Sequence, residues 1–202
     1  MIGVIDTGLS NIQSIKESFK LLGEEPQVFT VPDRTQEVVA WVLPGVGTFK
    51  DGMQALKDND WTDFLKEEIL IKKKPLLGIC LGMQLLASGS TEYGSCEGLG
   101  FVEGKVIQLK PQSAEDHLPH MGWCDVQHRD GRVSCYYFAH SFHLVLDDVQ
   151  YQEATFVYAN ENVTAAVSKK NIYGIQFHPE KSQEEGLKVL KCFLDNIQER
   201  KM

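Results

Sequence analysis

"PLLGICLGMQLLASGS", Pro75 to Ser90, is the stretch on which the reading of the fold turns. It opens as a short apolar run and continues with apolar residues at helical spacing, and between the two stands Gly78-x-Cys80-x-Gly82. A buried strand turning sharply into a helix is the unit of a parallel, doubly wound sheet. Toward the N-terminus, "VVAWVLPG" closes at Pro44-Gly45, "QVFTV" ends at Pro32, and both read as strands. "MIGVID" is another, followed by Ile12, Ile15, Phe19 and Leu22 at helical spacing and stopped by Gly23. Trp61, Phe64, Leu65 and Ile69 mark a further helix, with Lys72-Lys73-Lys74 suited to its C-terminus. Toward the C-terminus, "KVIQL", "SCYYFAHSF", "ATFVYA" and "VTAAVS" read as antiparallel strands at one side of the main sheet. "IYGIQFHPE" is a last strand, and Leu187, Leu190, Phe193, Leu194 and Ile197 share one face of a final helix. The expected fold is α/β: a mostly parallel doubly wound sheet flanked by helices, with additional antiparallel strands in the second half. No linker rich in Pro, Gly or Ser intervenes, so residues 1–202 are expected to form one domain.

Composition narrows the function. A net charge of -8 disfavours a nucleic-acid binder, which usually shows a basic face. No apolar run approaches the ~20 residues of a membrane span, and the N-terminus lacks the pattern of a signal peptide. The 5 cysteines form no C-x-x-C pair and read as reduced thiols of a cytosolic protein.

A nucleophile on a tight strand-to-helix turn projects above the sheet at a helix N-terminus. The helix dipole there favours thiolate over thiol, and the N–H of Leu81 is free to hold an oxyanion. Alone, Cys80 reads equally as a small buried hydrophobe. A histidine with an orienting acid decides between the two. His178 ends the last predicted strand, and in extended backbone residues i and i+2 share a side, which puts Glu180 beside it. Cysteine, histidine and carboxylate then form a nucleophile–base–orienter set. A His/Glu metal pair would need a third ligand at suitable spacing, and the sequence offers none. In "LPGVGTF", Leu43 to Phe49, Gly45 and Gly47 leave backbone amides accessible, and an N–H at Gly47 would complete an oxyanion hole with Leu81. Taken alone that loop is an ordinary turn.

Together "LPGVGTF", "GICLGMQLL" and "GIQFHPEKS" resemble the class I, triad-type glutamine amidotransferases, in order and spacing along the whole chain. The resemblance implies hydrolysis of the glutamine side-chain amide through a thioester on Cys80, with His178 moving the proton and Glu180 holding His178. No cofactor or metal is expected for it. It also implies that Gln84 binds the polar groups of glutamine, that backbone around Ser141 and Phe142 holds its α-carboxylate, and that Glu92 meets its α-ammonium.

Within that class, "DTGLSNIQSI", "PHMGW", "YYFAHSF" and "HPEKS" are similar to the glutaminase subunits of imidazole glycerol phosphate synthase, in histidine biosynthesis. This likeness implies a heterodimer with a (β/α)₈-barrel cyclase, which receives the ammonia and makes imidazole glycerol phosphate and AICAR. Asn11, Trp123, Tyr137 and Lys181 fall where that family places its cyclase-facing surface; core packing is an alternative reading for Tyr137. Cys124, after "MGW", stands where that family usually has asparagine. A glutaminase serving a sugar-amidating or pyridoxal phosphate enzyme is the alternative, although the pyridoxal family usually carries "PGGES" where this chain has "PGVGT".

Overall fold

The structure, a computed structural model, describes residues 1–199. The first half carries strands β1 (Ile2–Ile5), β2 (Gln27–Phe29), β3 (Ala40–Gly45) and β4 (Leu76–Cys80). Between and after them run helices α1 (Ile12–Leu21), α2 (Phe49–Asp58), α3 (Trp61–Leu65) and α4 (Leu81–Leu85). Then come β5 (Gly89–Ser90), β6 (Cys96–Glu97), β7 (Gly104–Gln108), β8 (His120–His128) and β9 (Val133–His140). Strands β10 (Phe142–Leu146), β11 (Gln152–Tyr158), β12 (Glu161–Lys169) and β13 (Ile172–Ile175) follow, and α5 (Gln183–Glu199) closes the described chain.

One 9-stranded sheet runs β2-β1-β3-β4-β13-β12-β11-β8-β9. The strands from β2 through β13 in that order pair in parallel, and the remainder pair antiparallel. The parallel strands are apolar on both faces because side chains alternate. Ile5, Trp41 and Leu43 pack with residues of α2 and α3, while Val4, Val42, Leu77 and Ile79 pack with Ile15 and Phe19 of α1 and Phe193 and Ile197 of α5.

Several features depart from expectation. The run "SCYYFAHSF" is two strands, broken at Ser141, whose carbonyl accepts the Leu109 N–H at 2.9 Å. Strand β9 stays on the main sheet, whereas β10 and β7 belong to a separate 4-stranded sheet, β10-β7-β5-β6. The expected helix around Trp61 is α3 followed by a π-helical turn, Lys66–Ile71, which turns both Glu68 and Ile69 inward. Trp41 Nε1 donates to Glu68 at 3.1 Å, and Lys72 and Lys74 also pair with this buried acid. Two of the three lysines thus serve an acid, while Lys73 alone bonds a terminal carbonyl, that of Leu70. Finally, "LGMQLLAS" yields only five helical residues, since the N–H groups of Leu86 and Ala87 bond back three residues, to Met83 and Gln84.

Candidate active site

The carboxyl ends of β3, β4 and β13 meet in the middle of the sheet, with Gly45 opposite Cys80 and Ile175 opposite Ile79. Open α/β sheets place their sites at such strand ends. Cys80 sits between β4 and α4 with φ 54 and ψ -111, a region that side chains avoid and that costs on the order of 1–3 kcal/mol. Its flanking glycines explain the Gly-x-Cys-x-Gly spacing. A Cβ on Gly82 would lie 1.7 Å from the Leu43 carbonyl oxygen, and one on Gly78 would lie 2.7 Å from that of Gly82. The helix can start directly against β3 only without those side chains. With α4 so short, what it offers a charge at Cys80 is chiefly its first-turn N–H groups, beginning with Leu81.

His178 stands on the next strand's extension. Strand β13 ends at Ile175, and Pro179–Lys181 form a 3₁₀ turn. Glu180 therefore reaches His178 through that turn and not through strand alternation; the expected neighbour is right and the expected route is corrected. The His178 Nδ1–H donates to Glu180 Oε1 at 2.8 Å, and both side chains are 4% exposed. Burial is the strongest influence on this imidazole and opposes its charge, yet hydrogen bonds with Cys80 and Glu180 outweigh it and hold the pKa up to about 10. Glu180 Oε2 is buried and has no hydrogen-bond partner among the described residues. No group of three or more His, Cys, Asp or Glu side chains among those residues could hold a metal ion.

A pocket of about 240 Å³ opens onto the thiol. Its lining brings together Gly47, Cys80, Leu81, Gln84, Glu92, Ser141 and Phe142, residues that come from opposite halves of the sequence. Gly47 has φ 103 and open space where a Cβ would stand. The N–H of its neighbour Val46 is occupied, donating to the Leu9 carbonyl at 2.7 Å. Gln84 Nε2 donates to the Phe142 carbonyl at 2.7 Å and to Gln176 Oε1 at 3.1 Å, so only its carbonyl oxygen is left for a ligand. Glu92 accepts the Phe49 N–H at the start of α2 at 2.7 Å, and burial pushes its carboxyl up. It is an anchor for α2 as well as a wall of the pocket.

Sequence reasoning missed one residue of the pocket wall, His140, and one that bonds the thiol, Gln176. Gln176, fully buried, donates its side-chain Nε2–H to Cys80 Sγ at 3.8 Å. His140 lines the pocket, donates Nδ1–H to the Phe142 carbonyl at 2.9 Å, and is kept neutral by burial, its pKa pushed down to about 3. "GIQFHPE" and "YYFAHSF" contained both residues, but nothing in an isolated Gln or His marks it as buried beside a thiol.

Trp123, Tyr137 and Lys181 form one surface cluster. The two rings meet edge to face at 6.1 Å, and Lys181 Nζ lies 5.5 Å from the Tyr137 ring centroid. Trp123 and Met121 are 48% and 62% exposed. Tyr137 is half-buried on the edge strand. Asn11 takes no part in these ring and cation contacts; its Oδ1 accepts the Ser14 N–H at 3.4 Å and caps α1. Helix α1 in turn packs on the 3₁₀ turn that carries Glu180.

No helix among the described residues is long and apolar enough to cross a membrane. The sequence matches the family described as glutamine amidotransferase class-I over residues 3–197. It is 40% identical to imidazole glycerol phosphate synthase subunit HisH 2 of Methanococcus maripaludis, covering 96% of this chain and 98% of that protein. Its identity to subunit HisH of the same synthase from Zymomonas mobilis is 42%, over 96% and 95% of the two chains. The fold superimposes on a crystal structure of a glutamine amidotransferase with a TM-score of 0.77 at 18% identity, covering 98% of each chain. The chain belongs to the class-I glutamine amidotransferases, in the branch formed by the HisH subunits of imidazole glycerol phosphate synthase.

Proposed function

We propose that this chain, as a single domain over residues 1–202, hydrolyses glutamine at Cys80 and passes the ammonia to a barrel-shaped cyclase in histidine biosynthesis. The observation that carries the reading is the relay from Cys80, in the wall of the pocket, through His178 to Glu180 behind it. The thiolate attacks the side-chain amide carbon, and the N–H groups of Leu81 and Gly47 receive the developing oxyanion. Protonated His178 gives its proton to the departing nitrogen, so ammonia leaves and a thioester remains on Cys80. Neutral His178 then takes a proton from water, whose oxygen attacks the thioester and releases glutamate. Glu180 keeps the imidazole oriented with Nε2 toward the sulfur throughout. Gln84 Oε1, Glu92 and the backbone at Ser141 and Phe142 hold the amino-acid head group.

Trp123, Tyr137 and Lys181 supply the docking face, and Asn11 extends it. Aromatic anchors and a cation suit such a contact. The test is glutamine hydrolysis by this chain alone, with a barrel cyclase, and with cyclase plus its phosphoribosyl substrate. Stimulation by about 10² or more is expected when both are present. Rapid hydrolysis by the isolated chain, unchanged by any cyclase, would defeat the reading.

A further inference from the structure

Strand β9 is an edge of the main sheet, and at Tyr137 its open side is not bare. The His178 N–H donates to the Tyr137 carbonyl at 2.9 Å. The Tyr137 N–H donates to Ser182 Oγ at 3.0 Å, and that hydroxyl donates in turn to the His178 carbonyl at 2.6 Å. Three hydrogen bonds thus close a ring through Tyr137, His178 and Ser182, and the turn bearing the imidazole pairs with the sheet edge in place of a tenth strand. Tyr137 directs both backbone groups away from β8, which makes its pairing with Trp123 a non-hydrogen-bonded one, with side chains close.

Ser182 is 1% exposed, so its hydroxyl has no water to fall back on. It is also fixed from behind. Its N–H donates to the Pro179 carbonyl at 3.1 Å, and its carbonyl accepts the Gly186 N–H at 3.1 Å, joining the turn to α5. A Cβ at Gly186 would meet the Pro179 oxygen at 2.0 Å, so helix and turn are in direct backbone contact.

From this ring we propose that Ser182 is a positioning residue: it holds His178 in register with Cys80 and ties it to β9, the strand that carries Tyr137 and pairs with Trp123 of β8. The inference rests on the glutaminase reading above. Displacement of β9 by a docked partner moves both the N–H and C=O of Tyr137, and the hydroxyl converts that movement into a movement of the imidazole. Removing the hydroxyl leaves Cys80, Glu180 and the pocket in place while loosening the base, a change felt in turnover and not in ground-state binding.

The experiment compares the full-length wild type with Ser182→Ala and Ser182→Thr, each with and without a barrel cyclase and its phosphoribosyl substrate. Ser182→Ala should keep KM for glutamine within about twofold and lose about tenfold in stimulated kcat. The alkaline limb of its pH–rate profile should move to lower pH, because a displaced imidazole loses the bonds that hold its pKa up to about 10. Ser182→Thr keeps the hydroxyl and should recover kcat to within about threefold. If Ser182→Ala does not fold, Ser182→Cys replaces it, since a thiol is a weak donor of similar shape, and the same loss is expected. Wild-type kcat and an unmoved pH profile in a folded Ala or Cys variant would overturn the role of the hydroxyl alone. A wild-type chain that hydrolyses no glutamine with any cyclase would overturn both this role and the function on which it rests.

Discussion

Two buried carboxylates sit at opposite ends of the same sheet and are treated in opposite ways. Glu68, near the amino ends of β3 and β4, is 3% exposed and surrounded by donors: Trp41, Lys72 and Lys74. Glu180, beyond the carboxyl end of β13, is as deeply buried, yet only Oε1 is bonded, to His178, and Oε2 has no partner among the described residues. A buried acid that saturates both oxygens with fixed donors locks local structure. One that commits a single oxygen to an imidazole instead holds that ring's orientation and favours its charged form. A fully bonded acid thus lies at the amino end of the strands, and a singly bonded one, paired with an imidazole, at the carboxyl end.

The contrast can be broken from either side. The largest effect belongs to His178→Asn, which removes base and acid together and should lower glutamine turnover by about 10⁵ or more in the cyclase complex. Glu180→Gln should cost less, about 10³, because thiol, imidazole and oxyanion donors persist. Burst measurements with glutamine should still show thioester formation in Glu180→Gln, and equal, total loss in both variants would assign the carboxylate another role. Gly47→Val places a side chain where there is open space but φ is 103, so it tests backbone freedom by itself. It should remove about 10² of the cyclase stimulation while leaving binding to the cyclase, read by titration calorimetry, unchanged.

Glu68→Gln should do the reverse: turnover within about twofold of wild type and a stability loss of about 2 kcal/mol in urea unfolding. An equal loss of turnover would abolish the division between the two ends. The smallest effects lie in pH dependence, and their signs differ. Burial works against the Glu68 charge, but its lysine and Trp41 bonds win and hold the carboxyl below the ordinary 4.5. Its stabilisation is present above about 4.5 and is lost as pH falls. His178 is raised from 6.5 to about 10, so its stabilisation is complete below 6.5 and is lost as pH rises toward 10. Melting temperatures of wild type and Glu68→Gln should converge in acid, and those of wild type and His178→Asn in alkali.

Much of this was legible in the sequence where chemistry and backbone needs coincide. Gly78 and Gly82 announce the Cys80 turn because no side chain fits at either position. Strand β8 was silent for a definite reason: its large apolar residues Met121 and Trp123 face outward and His120 and Cys124 face inward, which inverts the usual alternation. Strand alternation puts Glu180 beside His178 by the wrong geometry, because Pro179 opens a 3₁₀ turn where the pattern predicts extended backbone. Ser182 and Gln176 gave no signal at all. Their roles come from partners many residues away, and such pairings exist only once the chain has folded.

The adjacency of β4 and β13 has a consequence for how the protein comes into being. Gln176 and Cys80 touch across 96 residues of sequence, and nearly all the antiparallel strands lie between them. Contacts of such long range form late, after the entropy of closing the intervening chain has been met. On the ribosome, Cys80 and its turn emerge well before β13 and the His178 that follows it. A nascent chain thus carries the thiol without the histidine until residue 178 and the strand before it have been made.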